Sequence, residues 1–71
     1  MRRKIHGYVL QFTSADHAGR HIHVYRHDRE IGVYDLVEGP VRGLEREMNA
    51  QLREALTEFI KELNERGFFR R

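Results

Sequence analysis

The chain contains no cysteine, so neither a disulfide framework nor a thiolate metal site can form. No Walker loop, nucleophile elbow or zinc-finger spacing occurs in its 71 residues. No linker-like stretch, low-complexity segment or internal repeat is visible, which leaves one small domain over residues 1–71. A long apolar run is also missing. The basic Arg2-Arg3-Lys4 leads into residues interrupted by His6, Gly7, Gln11 and Asp16, so no secretory leader or membrane anchor is expected, and the expected location is the cytoplasm. Nor is there a large excess of one charge. Thirteen Lys and Arg against eleven Asp and Glu leave a formal +2, which argues against strong non-specific binding of nucleic acid, because affinity grows with the number of phosphates neutralised. A domain of this size buries roughly 60% of its unfolded surface, so a second subunit is a natural source of further burial and a homodimer is expected.

What is present is unevenly spread. Apolar residues are 39% of the chain and charged residues 34%, the balance of a globular protein. Residues 1–34 hold six Lys/Arg and three Asp/Glu, a balance of +3; residues 35–71 hold seven and eight, a balance of −1. All five histidines lie in the first half, and Arg outnumbers Lys eleven to two. Planar guanidinium forks suit phosphate, although genome composition produces the same bias.

Alternation predicts strands over residues 5–13, 21–27 and 30–37. In the first, His6, Tyr8, Leu10 and Phe12 are assigned to the core face. Residues 14–19 form a loop by composition, and Asp28-Arg29 is the expected hairpin turn, setting His23 across from Tyr34 and Tyr25 across from Gly32. Glu38-Gly39-Pro40 ends the third strand, and residues 41–43 are a short candidate fourth. Leu44, Met48, Leu52, Ala55, Leu56, Phe59, Ile60 and Leu63 recur at helical spacing, with Glu47, Gln51, Glu54, Glu58, Glu62 and Glu65 largely opposite. Asn49 is a candidate N-cap, with Glu45 or Arg46 as earlier starts; Gly67 fits a C-terminal left-handed position, and Phe68-Phe69 are expected to fold back. The expected fold is α+β: a three- to four-stranded antiparallel sheet with one C-terminal amphipathic helix on one face.

The segment His21-Ile22-His23-Val24-Tyr25-Arg26-His27 speaks most to function. Its parity sets His21, His23, Tyr25 and His27 on one face and Ile22, Val24 and Arg26 on the other. With the aliphatics under the helix, the imidazoles line the open face. Three readings compete. His21 and His23 act as general acid and base in phosphodiester cleavage, since imidazole exchanges a proton near neutral pH, with Arg20, Arg26 and Arg29 on phosphate and Tyr25 stacking on a base. Alternatively they share a metal ion completed by His17, His27 or Asp35. In the third reading they are half-buried strand residues bonded to their neighbours. Asp35 is suited to orient a strand histidine.

The run His21-Ile22-His23-Val24-Tyr25, preceded by Gly19 and followed by Tyr34-Asp35-Leu36, resembles the small bacterial domain-of-unknown-function family 4160 over roughly residues 7–63. Here Ala18-Gly19-Arg20 stands where that family has prolines, and Ile22 where it has Phe. The resemblance implies a cytoplasmic prokaryotic protein associated with toxin–antitoxin pairs and a partner encoded nearby. More distantly, Gly19-Arg20-His21 is similar to the Gly-Ser-His motif of HicA-type mRNA interferase toxins, which implies a catalytic role for His21. The leading expectation is a toxin–antitoxin protein that interacts with RNA, in its active form a metal-independent endoribonuclease without cofactor. The alternatives are a non-catalytic, antitoxin-like interaction module and a His-based metal-binding protein.

Overall fold

The computed structural model describes residues 1–12 and 20–69. The expected loop at residues 14–19, with His17, and the terminal Arg70-Arg71 lie outside the described residues. The architecture is α+β. Five strands, β1 (Arg2–Ile5), β2 (Tyr8–Phe12), β3 (His21–Arg26), β4 (Arg29–Asp35) and β5 (Gly39–Val41), form an antiparallel meander in chain order, followed by a short 3₁₀ turn (Leu44–Arg46) and helix α1 (Ala50–Glu65).

The first expected strand is two. His6 and Gly7 adopt φ of 53° and 86°, giving the pair of left-handed residues that a two-residue hairpin turn requires, and Ile5 pairs with Tyr8 across it. His6 therefore sits in a turn, not on the core face. The second hairpin also turns one residue earlier than expected: His27 (φ 54°) and Asp28 (φ 64°) form the turn and Arg26 pairs with Arg29. His27 thus leaves the face it was assigned to. Beyond the turn the register shifts between Val24 and Tyr25: Tyr25 pairs with Glu30 but Val24 with Gly32, leaving Ile31 as the extra residue of a bulge. His23 consequently lies across from Val33, and Tyr34 from Ile22, in place of the expected His23–Tyr34 and Tyr25–Gly32 pairs. β4 ends at Asp35, and the edge strand takes in Gly39 and Pro40, two residues earlier than expected. Pro40 is tolerated because only one side of an edge strand is hydrogen-bonded.

α1 begins at the latest of the three candidate positions, after Asn49. Asn49 is extended (φ −153°) and its side chain accepts from the Leu52 amide at 2.8 Å, a cap that contributes about 1 kcal/mol. At the other end Gly67 (φ 81°) donates to the Asn64 carbonyl at 3.1 Å and Phe68 to Leu63 at 3.0 Å, closing a Schellman motif. That turn sends Phe68 back onto Phe12, with ring centroids 5.8 Å apart, edge to face. Leu52, Ala55, Leu56, Phe59 and Leu63 pack on Tyr8, Leu10, Phe12, Ile22 and Val24, and this layer is the buried core. Arg26 turns to the same side and donates to the Tyr8 hydroxyl at 2.6 Å, which also accepts from Asn49 at 3.3 Å; β3, β2 and the helix start are tied together there. None of the described helices is long and apolar enough to cross a membrane.

Candidate functional site

Helix α1 covers the face carrying Ile22 and Val24, so His21, His23 and Tyr25 project from the opposite face, half-buried, as the alternation requires. Cross-strand pairing fills in their surroundings: Val9 and Gln11 from β2, Arg2 and Lys4 from β1, and Val33, Asp35 and Glu30 from β4 share that face. The bulge at Ile31 matters here. Without it Glu30 and Asp35, five residues apart, would point to opposite sides of a regular strand. With it, both carboxylates stand beside the imidazoles.

Each histidine has its own carboxylate. His21 Nε2 lies 3.0 Å from Asp35 Oδ2, and His23 Nδ1 lies 2.8 Å from Glu30 Oε2. Among the described residues the other nitrogen of each ring has no hydrogen-bond partner. The Asp35 side chain is 7% exposed and fully engaged. Its Oδ1 accepts from the Val37 and Glu38 amides at 2.7 and 3.0 Å, and its Oδ2 faces Arg20 Nε at 3.4 Å as well as His21. The amide of Glu38, then that of Val37, the Arg20 charge and the His21 bond outweigh burial and hold the Asp35 carboxyl down at about 2. Asp35 is therefore an anion at neutral pH, able to fix the orientation of the His21 ring. On an extended strand the two histidines are about 7 Å apart along the backbone, enough to flank one phosphodiester group.

A pocket of about 210 Å³ opens beside His23, lined by Glu30, Ile31, Gly32, Val33 and Arg42. Among the described residues Arg42 has no carboxylate within 4 Å. Arg20 is exposed next to His21, and the Arg2 guanidinium stands 5.5 Å over the Tyr25 ring. Arg20, His21, His23 and Tyr25 are thus brought to one face. Arg26 is not: its guanidinium packs 4.7 Å over the Tyr8 ring on the helix side. Arg29 lies at the hairpin end, where it lines a separate pocket of about 500 Å³ with Arg26, His27 and Arg46. Sequence reasoning missed Glu30 and Arg42. Glu30 becomes a neighbour of His23 only with the turn at His27-Asp28, for which the αL tolerance of Asp28 was the one available signal; Arg42 had none.

The shared-ion reading of His21 and His23 finds no third donor among the described residues, since the two rings face different carboxylates and join no set of three donor atoms within 4.8 Å. His27, one proposed completing ligand, is in the turn, and His17 lies outside the described residues. No protein-family pattern, curated protein or solved structure matches this chain.

Proposed function

We propose that the open sheet face binds RNA and that His21 and His23 cleave its phosphodiester backbone by acid–base catalysis without a metal. The observation that carries the reading is the pair of imidazole–carboxylate couples, His21–Asp35 and His23–Glu30, side by side on an open strand face next to the exposed guanidinium groups of Arg20 and Arg42. One neutral imidazole removes the proton of a ribose 2′-hydroxyl as its oxygen attacks phosphorus. The other, protonated, delivers a proton to the departing 5′-oxygen, leaving a 2′,3′-cyclic phosphate. His21 and His23 fill these two roles, each imidazole held by its own carboxylate, Asp35 or Glu30. Arg20 and Arg42 stabilise the charge that builds on the non-bridging oxygens. Tyr25 offers a ring for a base to stack on. The likeness of Gly19-Arg20-His21 to the HicA-type motif and of the strand to family 4160 agrees with this reading, and extends it to a cytoplasmic toxin–antitoxin protein acting as a homodimer beside a neutralising protein partner.

The test is incubation of the purified chain with single-stranded RNA in excess chelator. Cleavage with cyclic-phosphate ends is expected, with none on a strand whose ribose is replaced by 2′-deoxyribose. The His21→Ala/His23→Ala double variant should lose cleavage while keeping its circular dichroism spectrum. Cleavage that persists in the folded double variant overturns the mechanism. RNA binding without cleavage in the unsubstituted chain assigns the face to interaction alone.

A further inference from the structure

Where the β1–β2 turn meets helix α1 there is a second cluster of donor atoms, which the proposed RNA-cleaving face does not use. His6 in the β1–β2 turn, and Glu54 and Glu58 one turn apart on α1, bring one ring nitrogen and two carboxylate oxygens within 4.8 Å of one another. His6 Nε2 lies 2.7 Å from Glu58 Oε2 and 3.9 Å from Glu54 Oε1. The turn is fastened to the helix by Gln51, whose side chain donates to the His6 carbonyl at 2.5 Å, so the imidazole is held over this stretch of helix rather than swinging free.

Charge distinguishes this cluster from an ordinary surface ion pair. Glu54, Glu58 and Glu62 follow at four-residue steps, a spacing at which like charges repel. Glu62 is neutralised by Arg3 at 3.0 Å and Arg66 at 3.0 Å. Glu54 and Glu58 have neither Lys nor Arg within 4 Å among the described residues, and meet only an imidazole that is cationic solely when protonated. Imidazole nitrogen and carboxylate oxygen are the donor set of Zn²⁺ and similar divalent transition ions, which bind them at about 2.0–2.2 Å and so gather ligand atoms to roughly 3–4 Å from one another. Of the two separations at His6, one lies just below that spacing and the other within it, and both Glu side chains are exposed.

We propose that His6, Glu54 and Glu58 form a binding site for one divalent transition-metal ion of the Zn²⁺ type, clipping the β1–β2 turn to helix α1, with its remaining coordination positions open to water. The site is independent of the RNA-cleavage reading, which needs no metal, and either can fail without the other.

Calorimetric titration of the full chain with Zn²⁺ tests it, alongside thermal unfolding with and without the ion. One ion per chain is expected, with a melting temperature that climbs as Zn²⁺ is added, since an ion that binds only the folded state shifts the equilibrium by mass action. The His6→Asn variant keeps a residue that tolerates positive φ while removing the imidazole, and Glu58→Gln removes one carboxylate without touching the turn. Each should weaken Zn²⁺ binding by more than about tenfold and abolish the thermal shift. The His21→Ala/His23→Ala variant should bind as the unsubstituted chain does. Absence of saturable binding below the millimolar range overturns the proposal. So does binding that survives both His6→Asn and Glu58→Gln, or that is lost in the His21→Ala/His23→Ala variant.

Discussion

The Asp35 carboxylate uses both oxygens: one accepts from two backbone amides of the turn that follows β4, the other faces His21 and Arg20. These contacts exist for the anion and weaken on protonation. Its pKa is lowered from 3.8 to about 2, so the folded chain binds the proton less readily than the unfolded one. The stability this group contributes is then complete above the ordinary carboxylate value and fades as pH falls from about 4 toward 2. Asn in place of Asp35 keeps an oxygen for the amides but loses the charge that holds Arg20 and orients His21. Urea unfolding should therefore give a lower midpoint for Asp35→Asn than for the unsubstituted chain at pH 7, and the gap should narrow as the pH is taken below 4. A gap that stays constant across that range would mean that the ionised carboxyl does not matter to the fold.

At the scale of elements, the bulge in β4 and the 3₁₀ turn depend on each other. A Cβ added at Gly32 would lie 2.4 Å from the Leu44 amide nitrogen and 2.5 Å from Leu44 Cβ, so the 3₁₀ turn rests directly on the glycine backbone where the register shifts. Leu44 is itself wholly buried. Gly32→Ala should destabilise the chain by more than about 2 kcal/mol, because backbone and not a flexible side chain must move. Gly39→Ala serves as comparison: its Cβ meets nothing within 4 Å, and it suffers only the left-handed backbone, a cost of about 1–2 kcal/mol. Equal midpoints for the two variants in denaturant would show that the close approach is not rigid. The same elements mark how far the sequence could be read. Period-two alternation over residues 21–26 and helical spacing over 52–63 are direct consequences of one buried layer, so the face of β3 and the stripe of α1 were legible, whereas His27 leaves the alternation at the turn. Bulges and two-residue turns leave almost no hydrophobic trace. Ile31 looks like any strand residue, and His6-Gly7 reads as a continuation of alternation, so alternation alone merges one hairpin into a single strand and displaces one register by a residue. Of the site, His21, His23 and Asp35 were legible as candidates, but Glu30 reaches their face through the turn at His27-Asp28, Asp35 comes opposite His21 through the bulge, and Arg42 arrives with the β5 connection.

The whole molecule has a formal charge of only +2, and what the RNA-binding proposal needs is its distribution. Glu54, Glu58 and Glu62 lie along the helix, beside His6 in the β1–β2 turn and Arg3, and pair with neither His21 nor His23. Arg2, Lys4 and Arg20 belong with the open face or its margin, where the nearest acids, Asp35 and Glu30, are already paired with imidazoles. A polyanion approaching that face meets a locally cationic surface even though the chain as a whole is nearly neutral. Two charge reversals of equal size separate location from net charge. Lys4→Glu changes the open face beside Val9; Lys61→Glu changes the exposed side of α1. If single-stranded RNA lies across the open face, Lys4→Glu should weaken binding and reduce the slope of log affinity against log salt by about 0.7, the share of one phosphate contact, while Lys61→Glu changes the slope little. Fluorescence anisotropy across a salt series measures both. If the two variants lose affinity equally, only net charge matters, and the histidine face has no claim to be the RNA interface.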